Sequence, residues 1–264
     1  MNAVRMPSAE SDEVPGDDAS GAFPELVAAR PTAPQAVGKP LRARVAGANA
    51  KRNIRDLVAR HYRGHLRRYA RLKLRFDPVY DAVSDELCGA SAPVLDVGSG
   101  IGLLGVYLRA RGFTGAYTGI DCDESKVTGA ARASEGLGDL TFATVDANAL
   151  PAFSGTVVLL DVIHYLERDQ QHALLFNAAR RVTAGGLLIV RTVLREPRWR
   201  FVATVCEERL LHGIGWMPRA RHFPARSDIE TALHAFGFRT HVRPLWGATP
   251  FASFLIVARR RSLR

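Results

Sequence analysis

Cysteine is scarce in this chain: Cys88, Cys122 and Cys206 are the only three in 264 residues, and none has a paired spacing. That excludes a disulfide framework and a cysteine-held metal site. Long apolar runs are also missing. No stretch reaches the roughly 18 residues of a membrane span. The first residues, MNAVRMPSAESDE, lack the apolar segment of a secretory leader. A cytoplasmic protein is the expectation. Acidic side chains are outnumbered, 26 against 36 Lys and Arg, for a formal charge of +10. A surface this basic attracts anions, whether nucleic acid, acidic lipid or a phosphate-bearing carrier, and does not choose among them. Apolar residues make up 47%, enough for a core.

The charge is uneven. Residues 1–40 are net acidic, with Glu10, Asp12, Glu13, Asp17, Asp18 and Glu25 against Arg5, Arg30 and Lys39. Without apolar periodicity, residues 1–45 read as a disordered or loosely attached tail. From Ala50 to about Leu74, Leu57, Val58, His61, Tyr62, Leu66, Tyr69 and Leu72 recur at helical spacing among many arginines. This predicts one amphipathic helix. A second starts at Pro78 and stops at Gly89. Residues 46–92 thus form an N-terminal helical lid region before a domain at 93–264.

That domain alternates strands and helices. Strands are expected at Val94–Val97, Ala116–Ile120, Thr141–Val145, Thr156–Leu160 and Leu187–Arg191, with helices between them. A variable segment at about 192–226 follows, with a helix over Phe201–Leu211. A helix over Ser227–Phe236 and an antiparallel pair, Thr240–Pro244 and Phe254–Val257, close the pattern. Such a series implies an α/β fold with helices on both sheet faces.

Acids stand at the C-terminal ends of the first four strands: Asp96, Asp121, Asp146 and Asp161. Open α/β sheets bind ligands at that edge. Asp96 is followed by Gly98, Ser99, Gly100 and Gly102, a glycine turn that lets backbone approach a ligand. The spacing is G-x-G-x-G, with Leu103 where dinucleotide enzymes have a further glycine. An acid before the turn would face a dinucleotide's pyrophosphate. A cofactor without phosphate and with cationic groups fits better.

The arrangement resembles the class I S-adenosylmethionine (SAM) dependent methyltransferases over residues 93–191 by motif and 50–259 by architecture. The resemblance implies a Rossmann-like, seven-stranded, mostly parallel sheet in the order 3-2-1-4-5-7-6, strand seven antiparallel, plus the N-terminal helical extension. It implies SAM as cofactor and S-adenosylhomocysteine (SAH) as product. It places Asp121 on the ribose hydroxyls, Cys122 beside the adenine, Asp146 on the adenine amino group and Ala147 as a backbone donor. Asp161 falls nearest the methionine part. A narrower similarity, through KLRFDPVY (Lys73–Tyr80), LLDVIHYL (Leu159–Leu166) and GATPFASFLIVAR (Gly247–Arg259), is to methyltransferases of aryl polyene and xanthomonadin-type pigment biosynthesis. It implies a small aromatic or acyl-aromatic acceptor, carried as a hydroxyaryl thioester. The long acidic tail departs from that family's compact form.

Methyl transfer needs in-line placement, a dry pocket and an outlet for the acceptor's proton, and one base could serve either O-methylation or C-methylation of a hydroxyaryl ring. His164, three residues past Asp161, is the candidate base. The alternative is a histidine that only packs. Trp199, Arg200, Trp216, Arg221, His222 and Phe223 lie where substrate recognition is expected, and their basic groups suit the phosphate of a carrier arm, coenzyme A or RNA. RNA methylation is the rival activity and a non-catalytic scaffold the rival class. Against RNA, the tetrad after strand four reads DVIH, and the basic helix has no regular alternation of aromatic and basic residues.

Overall fold

Val94, Leu95, Asp96 and Val97 are all buried, which makes β1 (Val94–Val97) an interior strand covered on both faces. The computed structural model describes residues 48–213, 220–247 and 250–261. The tail read over 1–45 and Trp216 lie outside the described residues. Three helices precede β1: α1 (Ala48–Arg60), α2 (Gly64–Phe76) and α3 (Val79–Glu86). The core then runs α4 (Leu103–Ala110), β2 (Tyr117–Asp121), α5 (Glu124–Ala133), β3 (Leu140–Thr144), β4 (Thr156–Leu160), a 3-10 turn at Ile163–Tyr165, α6 (Arg168–Arg181) and β5 (Leu187–Val193). It ends with α7 (Arg198–Gly213), α8 (Arg226–Ala235), β6 (Phe238–Pro244) and β7 (Ser253–Arg260).

The seven strands form one sheet in the order β3-β2-β1-β4-β5-β7-β6. The first five are parallel, and β7 runs antiparallel to both β5 and β6. This is the expected class I methyltransferase topology. The last strand is longer than the sequence pattern implied, because it pairs with two neighbours along its whole length. Strand pleat divides the core. Leu95, Val97, Leu159, Leu188 and Val190 pack with Leu174 and Ala178 of α6 and Leu233 of α8. Val94, Val158 and Ile189 share the opposite core with Leu104 and Leu108 of α4.

The N-terminal helices belong to that second core. Val58, Ala59, Tyr62, Ala70, Leu74 and Val83 are buried in it. The expected single helix from Ala50 to Leu74 is two helices, broken at His61–Arg63. Tertiary contacts outweigh the continuous helical periodicity there. The Tyr62 hydroxyl donates to Ile101 O at 3.2 Å, and His61 Nδ1 lies 3.0 Å from Ala133 O. Gly64 restarts the chain at φ +52°, a left-handed conformation that glycine adopts cheaply. Asp77 then turns the chain from α2 into α3, its Oδ1 accepting from Val79 N at 3.0 Å.

Candidate active site

The glycine loop is held by the end of β2. Gly98 N and Ser99 N donate to Ile120 O at 2.7 and 2.9 Å, and Gly100 N donates to Asp121 Oδ2 at 2.8 Å. The other Asp121 oxygen accepts from Asp123 N at 3.0 Å, while Asp123 caps α5 through Ser125 N and Lys126 N. Asp121 therefore fastens the loop. Gly98 has φ +75°, and a Cβ there would overlap Val162 Cγ2. Gly102 has φ +72°, and a Cβ would sit 2.8 Å from Ala130 Cβ. The loop is thus pressed between the tip of β4 and the α5–β3 layer.

Asp96 lies behind this loop, 2% exposed. The Tyr117 hydroxyl donates to its Oδ2, while Oδ1 has no partner. Burial pushes its carboxyl up to about 7, the Tyr117 hydrogen bond opposes that, and the charge of Asp121 adds to it. A buried acceptor atom left open in this way fits a cationic or hydrogen-donating ligand group. Ser99 Oγ is likewise sealed from solvent without a partner.

Asp146 and Ala147 follow β3 in a turn. Asp146 is exposed and its Oδ1 accepts from Asn148 N at 2.7 Å and Asn148 Nδ2 at 2.8 Å. Cys122 is exposed beside Asp121. The glycine loop, Asp96, Asp121, Cys122, Asp146 and Ala147 therefore line up along the C-terminal ends of β1, β2 and β3.

At the C-terminal end of β4, Asp161 is engaged by a knot that the sequence reading missed. Arg191 on β5 donates through Nη1 to Asp161 and to Asp77 Oδ2 (2.9 Å), and through Nη2 to Ser253 Oγ (3.2 Å). Lys73 Nζ stands 3.0 Å from Asp77 Oδ2 and 4.0 Å from Asp161 Oδ2. Asp161 itself has φ +60°. Burial works against charge on Asp77, yet Arg191 and Lys73 hold its carboxyl below the usual range. Burial likewise works against charge on Lys73, yet Asp77 keeps its ammonium above the usual range. Two acids and two bases tie α2, β4 and β5 together at the sheet edge. Arg191 was legible as a charge ending an otherwise apolar strand. Lys73 and Asp77 were legible as part of KLRFDPVY, but nothing there separates an ion-pair knot from a solvated helix end.

His164, in the 3-10 turn after β4, is 2% exposed. Its ring stacks on Phe223 at 5.9 Å and touches Tyr165 at 4.3 Å. Burial lowers its pKa to about 4, Asp161 opposing and Arg191 and Lys73 reinforcing the fall. It is a neutral imidazole at cell pH. Its carbonyl accepts from Arg221 N (2.9 Å) and His222 N (3.3 Å). The segment after β5 therefore folds back over the β4 tip. Arg195 joins it, donating to Phe223 O at 2.7 Å and meeting His222 Nε2 at 3.1 Å. Arg200 stacks between Trp199 (4.4 Å) and Trp246 (4.1 Å).

Sheet order, glycine loop and acid-lined edge define the class I methyltransferase fold. Residues 94–186 match the model of the family described as "Methyltransferase domain". Residues 94–186 are thus similar to a methyltransferase domain, and S-adenosylmethionine is the cofactor of a domain of this kind. Among known proteins, it is similar to the ubiquinone biosynthesis O-methyltransferase of Rickettsia conorii, 28% identical over 153 residues, covering 57% of this chain and 50% of that protein. The corresponding Rickettsia canadensis protein is 30% identical over 132 residues, 49% of this chain and 53% of that one. This chain spans about half the length of these curated relatives. Among solved structures, an O-methyltransferase family protein from Burkholderia thailandensis superposes with a TM-score of 0.59 at 19% identity, covering 78% and 63% of the two chains. Magnesium protoporphyrin IX methyltransferase from Synechocystis PCC 6803 with bound SAH gives 0.55 at 22%, covering 82% and 89%.

Proposed function

We propose that the protein transfers the methyl group of SAM to a hydroxyl oxygen of a small aromatic or acyl-aromatic acceptor. The observation that carries the reading is the open, buried Asp96 Oδ1 behind a glycine loop that Asp121 fastens. When bound, SAM supplies an electrophilic methyl on a sulfonium and is left as neutral SAH. In this reading Asp96 and the loop hold the cofactor's ammonium end, and Asp121 holds the ribose. Cys122, Asp146 and Ala147 border the adenine. Asp161, fixed by Arg191, faces the methionine half. An oxygen acceptor is favoured because the Rickettsia relatives and the Burkholderia neighbour are named as O-methyltransferases.

A hydroxyl that accepts the methyl would have to give up its proton to a group of this chain. His164 is the proposed proton acceptor. An imidazole with a pKa near 4 is a weak base. The oxygen becomes strongly acidic as it takes up the methyl, so a weak base suffices late in the step. The Arg195–His222 pair and Arg221 would meet the phosphate of a carrier arm or coenzyme A. A hydroxyaryl acyl thioester, as in polyene pigment synthesis, is the specific acceptor we propose.

Mass spectrometry of hydroxyaryl acyl thioesters and of their free acids, after incubation with SAM, tests this. One added methyl on oxygen is the expected product. Preferential labelling of RNA would overturn the acceptor. SAM binding without turnover on any acceptor would leave only a scaffold. His164→Ala should cut turnover by about 10²–10⁴-fold at unchanged SAM affinity; near-normal turnover removes His164 from the chemistry.

A further inference from the structure

We propose that the protein docks on an anionic lipid surface through the exposed faces of α2 and α7. This rests on the methyltransferase reading only for its purpose, which is to bring the cleft mouth to a lipophilic acceptor. Arg68, Arg71, Leu72, Arg75 and Phe76 recur at three- and four-residue spacing and are all exposed, so they form one face of α2. Leu72 is 58% and Phe76 51% exposed, large values for apolar side chains. The sequence of α2, GHLRRYARLKLRF, contains no acid. On α7, Arg198, Trp199 and Val202 form a similar face, with Trp199 60% and Val202 53% exposed.

A chain of contacts links the two helices through Trp246 and Gly247. Arg200 lies between Trp199 and Trp246. Gly247, next to Trp246, is so close to α2 that a Cβ there would be 3.3 Å from Pro78 and 3.6 Å from Phe76 O. It ends at α2, whose Lys73 joins the Arg191–Asp161 knot through Asp77.

Charge selects the partner. A row of arginines repels a second copy of itself and attracts an anionic surface. Exposed aliphatic groups separate lipid from RNA. RNA is bound by stacking on aromatic planes, and Leu72 and Val202 offer none. A lipid interface takes all three kinds of group at once. Aliphatic and phenyl groups enter the acyl boundary, the indole sits among headgroups, and arginines pair with phosphates.

The test is flotation of the full chain with vesicles of phosphatidylcholine alone or mixed with phosphatidylglycerol, without SAM or acceptor. Tight binding to the anionic vesicles, released by salt, is expected. Replacing Arg68, Arg71 and Arg75 by Gln should weaken it about a hundredfold. Leu72→Ser with Phe76→Ser should weaken it on the order of tenfold. Circular dichroism melts matching the parent would show that both variants fold. Equal binding to neutral vesicles, no binding, or binding that ignores both sets of substitutions would overturn the proposal. So would tighter binding to single-stranded RNA, or a dimer that these substitutions dissociate. Because no methyl transfer is measured, failure here is distinguishable from failure of the enzymatic reading.

Discussion

Replacing Arg191 by Met keeps the stem and removes the cation that ties α2 to the sheet edge. In the parent, Nη1 serves both Asp77 and Asp161; without it Asp77 would keep one cation, Lys73 at 3.0 Å, and the Val79 N hydrogen bond. Breaking a buried ion pair from one side costs about 3–5 kcal/mol. The Asp77 side chain is 8% exposed and bears that cost in full, whereas Asp161, at 31%, can hydrate. The lower end, about 3 kcal/mol, is therefore expected. At roughly 2–4 °C per kcal/mol for a domain this size, the melting midpoint should fall by roughly 6–12 °C. Thermal melts and urea titrations followed by circular dichroism would measure it. The pH dependence adds a second check. Asp77 is depressed below its ordinary 3.8, so its contribution is complete above that value and disappears as pH falls through its folded pKa. Lys73 is raised above 10.5, so its contribution is complete below that value and disappears as pH rises through its folded pKa. The gap between parent and variant should be widest near neutrality and shrink in strong acid. A loss under about 1 kcal/mol, or a gap unchanged between neutral and acid solution, would refute the buried-knot argument.

Asp121→Ala should weaken SAM binding by about 1.5–3 kcal/mol, the scale of charge-assisted hydrogen bonds, as read by calorimetry; unchanged affinity in a folded variant would remove Asp121 from the ribose. Gly98→Ala should abolish SAM binding, since its Cβ overlaps Val162 and φ +75° is strained for alanine; adding Val162→Ala should recover folding better than affinity. His164 has a folded pKa of about 4 against 6.5, so it destabilises the fold as pH falls through that window, by roughly 3 kcal/mol in all. His164→Phe should therefore lose less stability than the parent between pH 6.5 and 4, and parallel melting curves would contradict this. Asp96 works the other way, protonated in the fold up to about 7, so Asp96→Asn should gain stability above pH 7 while losing SAM affinity.

Much of this molecule was written locally. Apolar runs mark β1, β4 and β5, and acids mark the ends of the first four strands with a glycine loop after the first, because strand burial and tight turns depend on neighbours a few residues apart. The Asp123 cap and the Pro78 start are equally local. Asp96, Asp121, Asp146 and Asp161 stand at one sheet edge because every parallel strand ends there. What the tertiary structure decided are the features made by residues distant in the chain. The break at His61–Arg63 depends on Ile101 and Ala133, which helical periodicity does not contain. Asp96 is buried against Tyr117 of the next strand, so it is the acid pushed toward neutrality while Asp146 stays in solvent. Arg191 meets Asp77 across 114 positions and draws Asp161 into an ion-pair knot. His164 is neutral because Phe223, brought back by the segment after β5, covers it. Periodicity reports which side of an element is buried; only the packed chain sets what each buried charge has beside it.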